Sequence, residues 1–398
     1  MPKMTVEDLT IKDQRILMRV DFNVPIKGGK VADDNRIRQA LPTIRYILDK
    51  GGKLILMSHL GRPKGERKSE FSLKPCADAL SGYLEQAIAF APDCIGDEAE
   101  KAVARLEAGR VLLLENLRFH MGEEKNDLMF AKQLAVLGDV YVNDAFGTAH
   151  RAHASTEGIT HHLQPCAAGF LMMKELDYLG RVLQSPQHPF IAILGGAKIS
   201  GKIDVIQNLL PKVDRLIIGG GMAFTFLSAK GLGIGRSLLE EDRLEMAKRI
   251  LDEAGDKLLL PIDCVVSNNF DIAAGKVERL QTVDVSAIPQ DAAGLDIGPS
   301  SIEMFQRALH GARTVVWNGP MGVFEIRETA EGTFKMAQIL AQLTAQGAVT
   351  VIGGGDSAAA ADKAGVVDRI SHISTGGGAS LEFLEGKTLP GVAALTER

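Results

Sequence analysis

Short apolar runs rich in Val, Ile and Leu recur along the chain, separated by stretches with helical spacing. The runs are Arg15–Val20, Lys53–Met57, Val111–Leu114, Val140–Val142, Phe190–Leu194, Arg215–Ile218, Leu258–Leu260, Thr314–Trp317 and Val349–Ile352. Amphipathic stretches such as Asp97–Glu107, Asn126–Leu137, Glu240–Asp252 and Ala330–Leu343 lie between them. Near-continuous apolar strands alternating with helices predict parallel sheets covered on both faces. The segment Phe170-Leu171-Met172-Met173-Lys174-Glu175-Leu176 has helical spacing, and Pro186 and Pro189 stop it. A boundary between two α/β halves is therefore expected near Gly169–Gln184. No internal repeat or low-complexity tract interrupts the pattern.

In parallel sheets, ligands gather beyond the carboxyl ends of the strands. Those ends differ between the halves. In the first half they read Asp21-Phe22-Asn23-Val24-Pro25, Ser58-His59-Leu60-Gly61-Arg62-Pro63, Glu115-Asn116-Leu117-Arg118-Phe119 and Asn143-Asp144-Ala145-Phe146, the last followed by His150-Arg151-Ala152-His153. With Arg36 and Arg38 from the connection after the first strand, Arg and His converge on one rim. Guanidinium forks match carboxylate and phosphate geometry. Arg36, Arg62, Arg118 and Arg151 with His59 suit a small, multiply anionic molecule, and Asp21 and Asn23 suit its hydroxyls. His161 and His162 follow no strand and read as surface residues.

In the second half the exits are glycines: Gly195-Gly196-Ala197-Lys198, Gly219-Gly220-Gly221, Asn318-Gly319-Pro320-Met321-Gly322, Gly353-Gly354-Gly355-Asp356-Ser357 and Thr375-Gly376-Gly377-Gly378. Glycine lets backbone N–H groups approach a ligand, and a helix start behind it favours phosphate. Several such exits together point to a polyphosphate site. Lys198 and Lys202, four apart, would share a face if a helix began there.

Composition narrows the classes. The chain has 398 residues, too many for one core, so about two domains are expected. It is 45% hydrophobic and 24% charged, with mean hydropathy +0.05, which excludes disorder and fibres. No apolar run reaches the roughly 18–20 residues of a membrane span, and Met1 to Thr10 shows no secretory pattern. A net charge of −5 excludes general nucleic-acid binding. Cys76, Cys94, Cys166 and Cys264 form no CxxC pair, so neither a disulfide framework nor a zinc site is expected, and a reducing cytoplasm fits.

Two stretches come close to known nucleotide-binding motifs. Gly196 to Ile203 fits GxxxxGK but ends in Ile203 where a P-loop needs Ser or Thr for magnesium, which rejects that class. Gly353 to Ala358 fits GxGxxA and leaves a nicotinamide-dependent oxidoreductase as the alternative. A two-lobed anion-binding protein without catalysis is the second rival.

Arg19-Val20-Asp21-Phe22-Asn23-Val24-Pro25, Ser58-His59-Leu60-Gly61-Arg62-Pro63, Gly195-Gly196-Ala197-Lys198, Trp317-Asn318-Gly319-Pro320-Met321-Gly322-Val323-Phe324-Glu325, Gly353-Gly354-Gly355-Asp356-Ser357 and Ser374-Thr375-Gly376-Gly377-Gly378-Ala379-Ser380 together resemble the phosphoglycerate kinase family, in family order from end to end. The resemblance implies ATP + 3-phosphoglycerate ⇌ ADP + 1,3-bisphosphoglycerate, a glycolytic step, in a cytoplasmic monomer. It implies two similar-sized α/β lobes of Rossmann-like, mostly parallel sheets joined by a hinge. The expected boundaries are residues 1–168 with 379–398 for the acid, a helix over 169–185, and 186–378 for Mg2+-nucleotide.

Residue by residue, it implies acid contacts at Asp21, Asn23, Arg36, His59, Arg62, Arg118 and Arg151. It implies nucleotide contacts at Lys198, Lys202, Gly219, Gly294, Asn318, Glu325, Gly353, Gly354, Gly355, Asp356, Ser357 and Thr375, with Asp356 on magnesium and Glu325 on the ribose hydroxyls. Arg36, Lys198 and the backbone near Gly376 are the expected catalytic groups. Gly201 departs from the family pattern, which usually has Asp there. The Gly376–Gly378 run and the helix near Leu171–Leu183 are the expected hinge material.

Overall fold

The structure is a computed structural model and describes residues 2–398. The chain forms two compact units, Met1–Asp177 with Thr388–Arg398, and Tyr178–Lys387.

The first unit is built on six parallel strands: β1 (Arg15–Arg19), β2 (Lys53–Met57), β3 (Ala89–Phe90), β4 (Val111–Leu113), β5 (Val140–Asn143) and β6 (Cys166–Ala168). Their order across the sheet is β3-β4-β2-β1-β5-β6. The strands pair in register, with Arg19 beside Met57 and Asn143. Ile16, Met18, Leu54, Leu56 and Val142 bury one sheet face against Ile37, Ile44 and Ile47 of the helix Asn35–Asp49. The chain's last residues close this unit: the Met4 N–H donates to the Thr396 carbonyl at 2.8 Å and Thr396 N to Cys166 O at 3.0 Å.

The second unit has its own six parallel strands: β7 (Phe190–Leu194), β8 (Arg215–Ile218), β9 (Leu258–Leu259), β10 (Thr314–Asn318), β11 (Val349–Gly353) and β12 (His372–Ile373). Their order is β9-β8-β7-β10-β11-β12. That is the doubly wound arrangement, with its reversal between β7 and β10. Trp317, at 0% exposure, packs among Ile193, Phe305, Met336 and Ile352. A three-stranded antiparallel sheet, with Asp263–Ser267 between Gln281–Asp284 and Ala293–Ile297, stands apart from it.

The nine expected runs all appear as strands, shifted at most by one residue at an end. The helices shift more. Asp97–Glu107 becomes Gly96–Ala104, and Asn126–Leu137 shortens to Leu128–Ala135, whose N-terminus is capped by Asp127 through Phe130 N. The helix Phe170–Gln184 stands where the boundary was expected and stops before Pro186. Three edge strands, β3, β6 and β12, have two or three residues each and no pattern long enough to read.

Candidate functional site

In the first unit the exits of β1, β2 and β4 are tied together by side chains. Arg36 Nη1 donates to Asp21 Oδ2 at 2.8 Å and to the Asn23 carbonyl at 3.2 Å. Asn23 Oδ1 accepts from Gly61 N at 2.9 Å, and Arg118 Nη1 donates to the Gly61 carbonyl at 2.8 Å. His59 Nδ1 lies 4.0 Å from Asp21 Oδ1. Asp21, Asn23, Arg36, His59 and Arg118 therefore form one connected rim. Arg62, next to Gly61, is exposed and makes no side-chain hydrogen bond or ion pair among the described residues. Arg151 is exposed, donates from Nε to His150 Nε2 at 3.1 Å, and lies within electrostatic reach of Arg118.

Beneath the rim is a layer that motif reading did not assign to the site. Arg19 ends β1 at 1% exposure and donates from Nε to Ser155 Oγ at 2.8 Å. Its Nη2 lies 3.1 Å from His59 Nδ1. A guanidinium can only donate, so Nδ1 accepts and the ring proton sits on Nε2. Arg19 faces Glu123 Oε1 at 3.9 Å, and Glu123 accepts from Ser155 N and Oγ at 3.0 and 2.6 Å. Burial, and then the charges of Arg19, Arg118 and Arg36, hold His59 well below the usual histidine range, so it is neutral at pH 7. Burial likewise pulls His153 down to about 3 and lowers Arg118. Arg19 was legible: a charge inside the apolar run Arg15–Val20 needs a buried partner.

In the second unit the exits of β7, β8, β10 and β11 press backbone against backbone. A Cβ on Gly195 would fall 2.1 Å from the Pro320 carbonyl oxygen, and one on Gly319 2.2 Å from that of Gly195. These glycines pack the loops onto each other, and Gly219 similarly leaves space for Met321. Not every glycine exit is therefore open to a ligand. Gly354, at φ 93°, caps the helix Gly355–Lys363, which carries Asp356 and Ser357 in its first turn. The Ser357 hydroxyl accepts from Gly319 N at 2.6 Å. A second helix, Gly377–Leu384, begins alongside, since a Cβ on Gly377 would lie 3.5 Å from Gly355 N. Gly376 N is already engaged by Ser374 Oγ at 3.2 Å, and Thr375 precedes it half-buried.

Lys202 donates from Nζ to Asn318 Oδ1. Burial lowers its pKa to about 8, against the pull of Asp356 and Glu385. Lys198 is exposed and makes no side-chain hydrogen bond among the described residues. The two lysines do not share a helix face, because the helix starts only at Ile203 and Lys202 is its N-cap. The Gly201 position is open, with nothing within 4 Å of an added Cβ.

Beside these loops lies a cavity of about 300 Å³, walled by Phe224, Leu238, Pro261 and Met321, with Glu325 and Asp356 at its lining. Gly294 belongs to the same wall: its N–H is held by Ser237 Oγ at 2.9 Å, and a Cβ there would run into the Phe224 ring. Asp296, which no motif pointed to, is buried in this wall and accepts from Gly332 N at 2.7 Å and Ile297 N at 2.9 Å. Burial raises its pKa to about 7.

An apolar slot leading to two helix starts, two lysines and one uncommitted carboxylate suits a base at one end and phosphates at the other. The GxGxxA run follows β11, whereas a dinucleotide fingerprint follows the first strand of the sheet. In this unit that position belongs to β7 and Gly195, so the nicotinamide alternative gains no support.

A family model described as phosphoglycerate kinase matches residues 6–387. Over the whole of both chains, this sequence is 58% identical to a phosphoglycerate kinase of Chloroherpeton thalassium, and 57% identical to one of Chlorobium limicola. Among solved structures it is similar to phosphoglycerate kinase from Coxiella burnetii, at 40% identity and TM-score 0.87, covering 99% of this chain and 98% of that one. It is also similar to phosphoglycerate kinase from Pyrococcus horikoshii, at 34% identity and TM-score 0.85, covering 98% of each chain.

Proposed function

Since the chain belongs to the phosphoglycerate kinase family and is a phosphotransferase that moves a phosphoryl group reversibly between 1,3-bisphosphoglycerate and ADP in glycolysis, we propose that its arginine rim holds the phosphoglycerate and its glycine-lined rim the nucleotide. The observation that carries this assignment is the contrast between the rims. Asp21, Asn23, Arg36 and Arg118 are already joined by hydrogen bonds around one charged surface, with the neutral His59 beside Asp21. The other rim pairs a cavity with two adjacent helix starts.

In this reading Arg36, Arg62, Arg118 and Arg151 take the anionic groups of the acid. The neutral His59 offers its Nε2–H as a donor, and Asp21 and Asn23 take the hydroxyl. On the other rim, Gly219 and Gly294 border the base, and Glu325 takes the ribose. Lys198, Lys202 and Asn318 meet the phosphates, with the backbone from Gly353 to Ser357 and at Thr375. The residues also fit magnesium: Asp356 is a single exposed hard-oxygen ligand with no hydrogen bond of its own among the described residues. Mg2+ commonly takes one or two carboxylates plus substrate phosphates. When bound there, the ion would neutralise charge on the terminal phosphates.

The acceptor carboxylate is already ionised at pH 7, so no general base is needed. The difficulty is that an anion attacks an anionic phosphoryl group. Catalysis is then positioning and electrostatics. Arg36 and Lys198 bind the equatorial oxygens, and the helix start after Gly376 adds its dipole. These groups come from both units, so the units close on the substrates during turnover, and closure excludes water. A cytoplasmic monomer that bends between its units, with the acid site in the first and the nucleotide site in the second, completes the reading; residues 379–387, expected with the acid site, belong to the second unit.

A coupled assay with Mg2+-ATP and 3-phosphoglycerate tests the activity. The site assignment is tested by exchanging rims: Arg118→Ala should raise KM for the acid alone, and Asp356→Ala should weaken the Mg2+-nucleotide alone. If Arg118→Ala weakens ATP instead, the rims are assigned the wrong way round. Small-angle scattering with both substrates should show a smaller radius of gyration than with either one.

A further inference from the structure

Away from both rims, the edge of the first sheet brings three different donor side chains to one point. Strand β3 leaves Phe90 and turns through Asp93 and Cys94 before the helix Gly96–Ala104. His120 follows the 3-10 turn Leu117–Phe119 and caps the short helix Met121–Glu124. A carboxylate oxygen of Asp93, Cys94 Sγ and a ring nitrogen of His120 all lie within 4.8 Å of one another.

We propose that Asp93, Cys94 and His120 form a binding site for a divalent ion of the zinc class, through Oδ1, Sγ and Nε2, with water as the fourth ligand. The donor set carries the choice of metal. One imidazole, one thiolate and one carboxylate suit borderline-soft Zn2+, whereas Mg2+ and Ca2+ want oxygen alone. Bond lengths of about 2.0–2.3 Å place tetrahedral ligands roughly 3.3–3.8 Å apart. His120 Nε2 and Asp93 Oδ1 are now 2.6 Å apart and share a proton; as the ion binds they separate by about 1 Å and that proton leaves to solvent. The Cys94 S–H bond breaks, its proton leaves to solvent, and the sulfur lone pair binds the metal.

The surroundings support the site. Cys94 is fully buried, while the Asp93 and His120 side chains are each 29% exposed, so the ion enters on their side and keeps a water there. Arg67 Nη2 holds the other Asp93 oxygen at 2.8 Å, and Cys94 N donates to Oδ1 at 2.7 Å, which fixes the carboxylate. The guanidinium opposes the ion by like charge, but its side chain is 52% exposed, where solvent and salt screen that repulsion. Cysteine spacing could not show this site, because only one ligand is a cysteine. The occupied site would staple the turn at residues 91–94 to the segment carrying Arg118.

The test uses the full chain without nucleotide and with excess Mg2+, so that Asp356 is masked. Calorimetric titration with ZnCl2 should give one ion per chain. Co2+ in its place should give a thiolate-to-cobalt charge-transfer band in the near ultraviolet. His120→Gln and Cys94→Ser should each weaken Zn2+ by at least about 100-fold, more than the loss of an outer-shell group costs, and Cys94→Ser should abolish the band. Zinc should raise the melting temperature of the unaltered chain and not of the variants. Should Cys94→Ser fail to fold, the half-exposed His120→Gln and Asp93→Asn carry the comparison. Equal zinc affinity in the unaltered chain and His120→Gln, or cobalt bound with no thiolate band, overturns the proposal.

Discussion

In the first unit the strand exits at Asp21, His59 and Arg118 are joined by side chains, with Arg19 and Glu123 buried underneath. In the second unit the exits at Gly195, Gly219, Gly319 and Gly354 are joined by backbone, and few charged side chains are fixed there. Both rims face the same demand in the proposed reaction, which is to hold negative charge. A charged side chain must be desolvated, oriented and balanced, and the first unit does this with a buried counter-ion at 3.9 Å from Arg19. Backbone N–H groups and helix dipoles carry no net charge and need no counter-ion. The difference shows in the bonds: Lys202 reaches only the neutral Asn318, and Lys198 stays uncommitted. One rim is arranged before the ligand arrives, while the other leaves its lysines ready for a charge the ligand brings.

The largest expected effect tests whether the two rims contribute alike to the transferring group. Arg36→Ala should lower kcat by about 10³–10⁵, the range of transition-state arginines. Lys198→Ala should lower kcat by about 10²–10³, the range for losing one preorganised donor. Steady-state kinetics with both substrates varied check both. If Arg36→Ala raises only KM for the acid, the first rim binds and does not catalyse, and the symmetry between the rims fails.

Next comes the buried counter-ion. Glu123→Gln keeps the shape and leaves Arg19 as an uncompensated buried charge. Stability should fall by about 3–5 kcal/mol, read from urea unfolding. Lys202→Met, the matching change in the second unit, removes a buried charge that has no carboxylate bonded to it. It should cost no more than about 1 kcal/mol, the scale of one hydrogen bond. Equal losses would erase the distinction between the rims.

The same contrast governs what the sequence makes legible. The first rim is built largely from residue types that are rare at strand ends, so His59, Arg62 and Arg118 stand out by identity. Glu123 does not, because it sits in an ordinary acidic pair, Glu123-Glu124, and only the packing shows which of the two is buried. The second rim is legible through its glycines, but their roles are not. Gly195 and Gly319 serve loop packing, and nothing local distinguishes them from Gly355, which faces open space. The three-stranded sheet around Asp263–Ser267 is not legible in the sequence because its strands pair across a hairpin, and one of them, Gln281–Asp284, is largely exposed and polar.

The units also share a device, which sharpens the comparison by pH. Asp144 accepts from Met172 N at 3.0 Å, at the start of the helix Phe170–Gln184. Asp296 accepts from Gly332 N, at the start of Glu331–Ala345. Burial lifts both to about 7 from 3.8, against the hydrogen bonds that lower them. A raised carboxyl means that the folded state holds more protons than the unfolded one between those two values. Stability is therefore present at low pH and declines as pH rises through that window, by up to about 1.4 kcal/mol per pH unit for each group. Asp144→Asn and Asp296→Asn should each flatten the decline seen in urea unfolding between pH 5 and 7. A slope unchanged in both variants would place its origin elsewhere.

The smallest effect concerns Gly201, where this chain departs from the family's usual Asp. The position precedes Lys202, the N-cap of the helix Ile203–Leu209, which has no side-chain cap. An added side chain meets nothing within 4 Å and needs no positive φ. An acid there lies near the positive end of a helix and beside Lys198 and Lys202, so Gly201→Asp should stabilise the second unit by about 0.3–1 kcal/mol. It should also draw Lys198 toward the new carboxylate, and a lysine already paired binds phosphate less readily. KM for the nucleotide should then rise slightly, by less than about tenfold, since an exposed pair is worth at most about 1 kcal/mol. Urea unfolding and nucleotide titration read the two effects separately. Greater stability with unchanged KM would show that Lys198 takes no part in holding the phosphates, and would leave Lys202, Asn318 and the backbone of the second rim to do so.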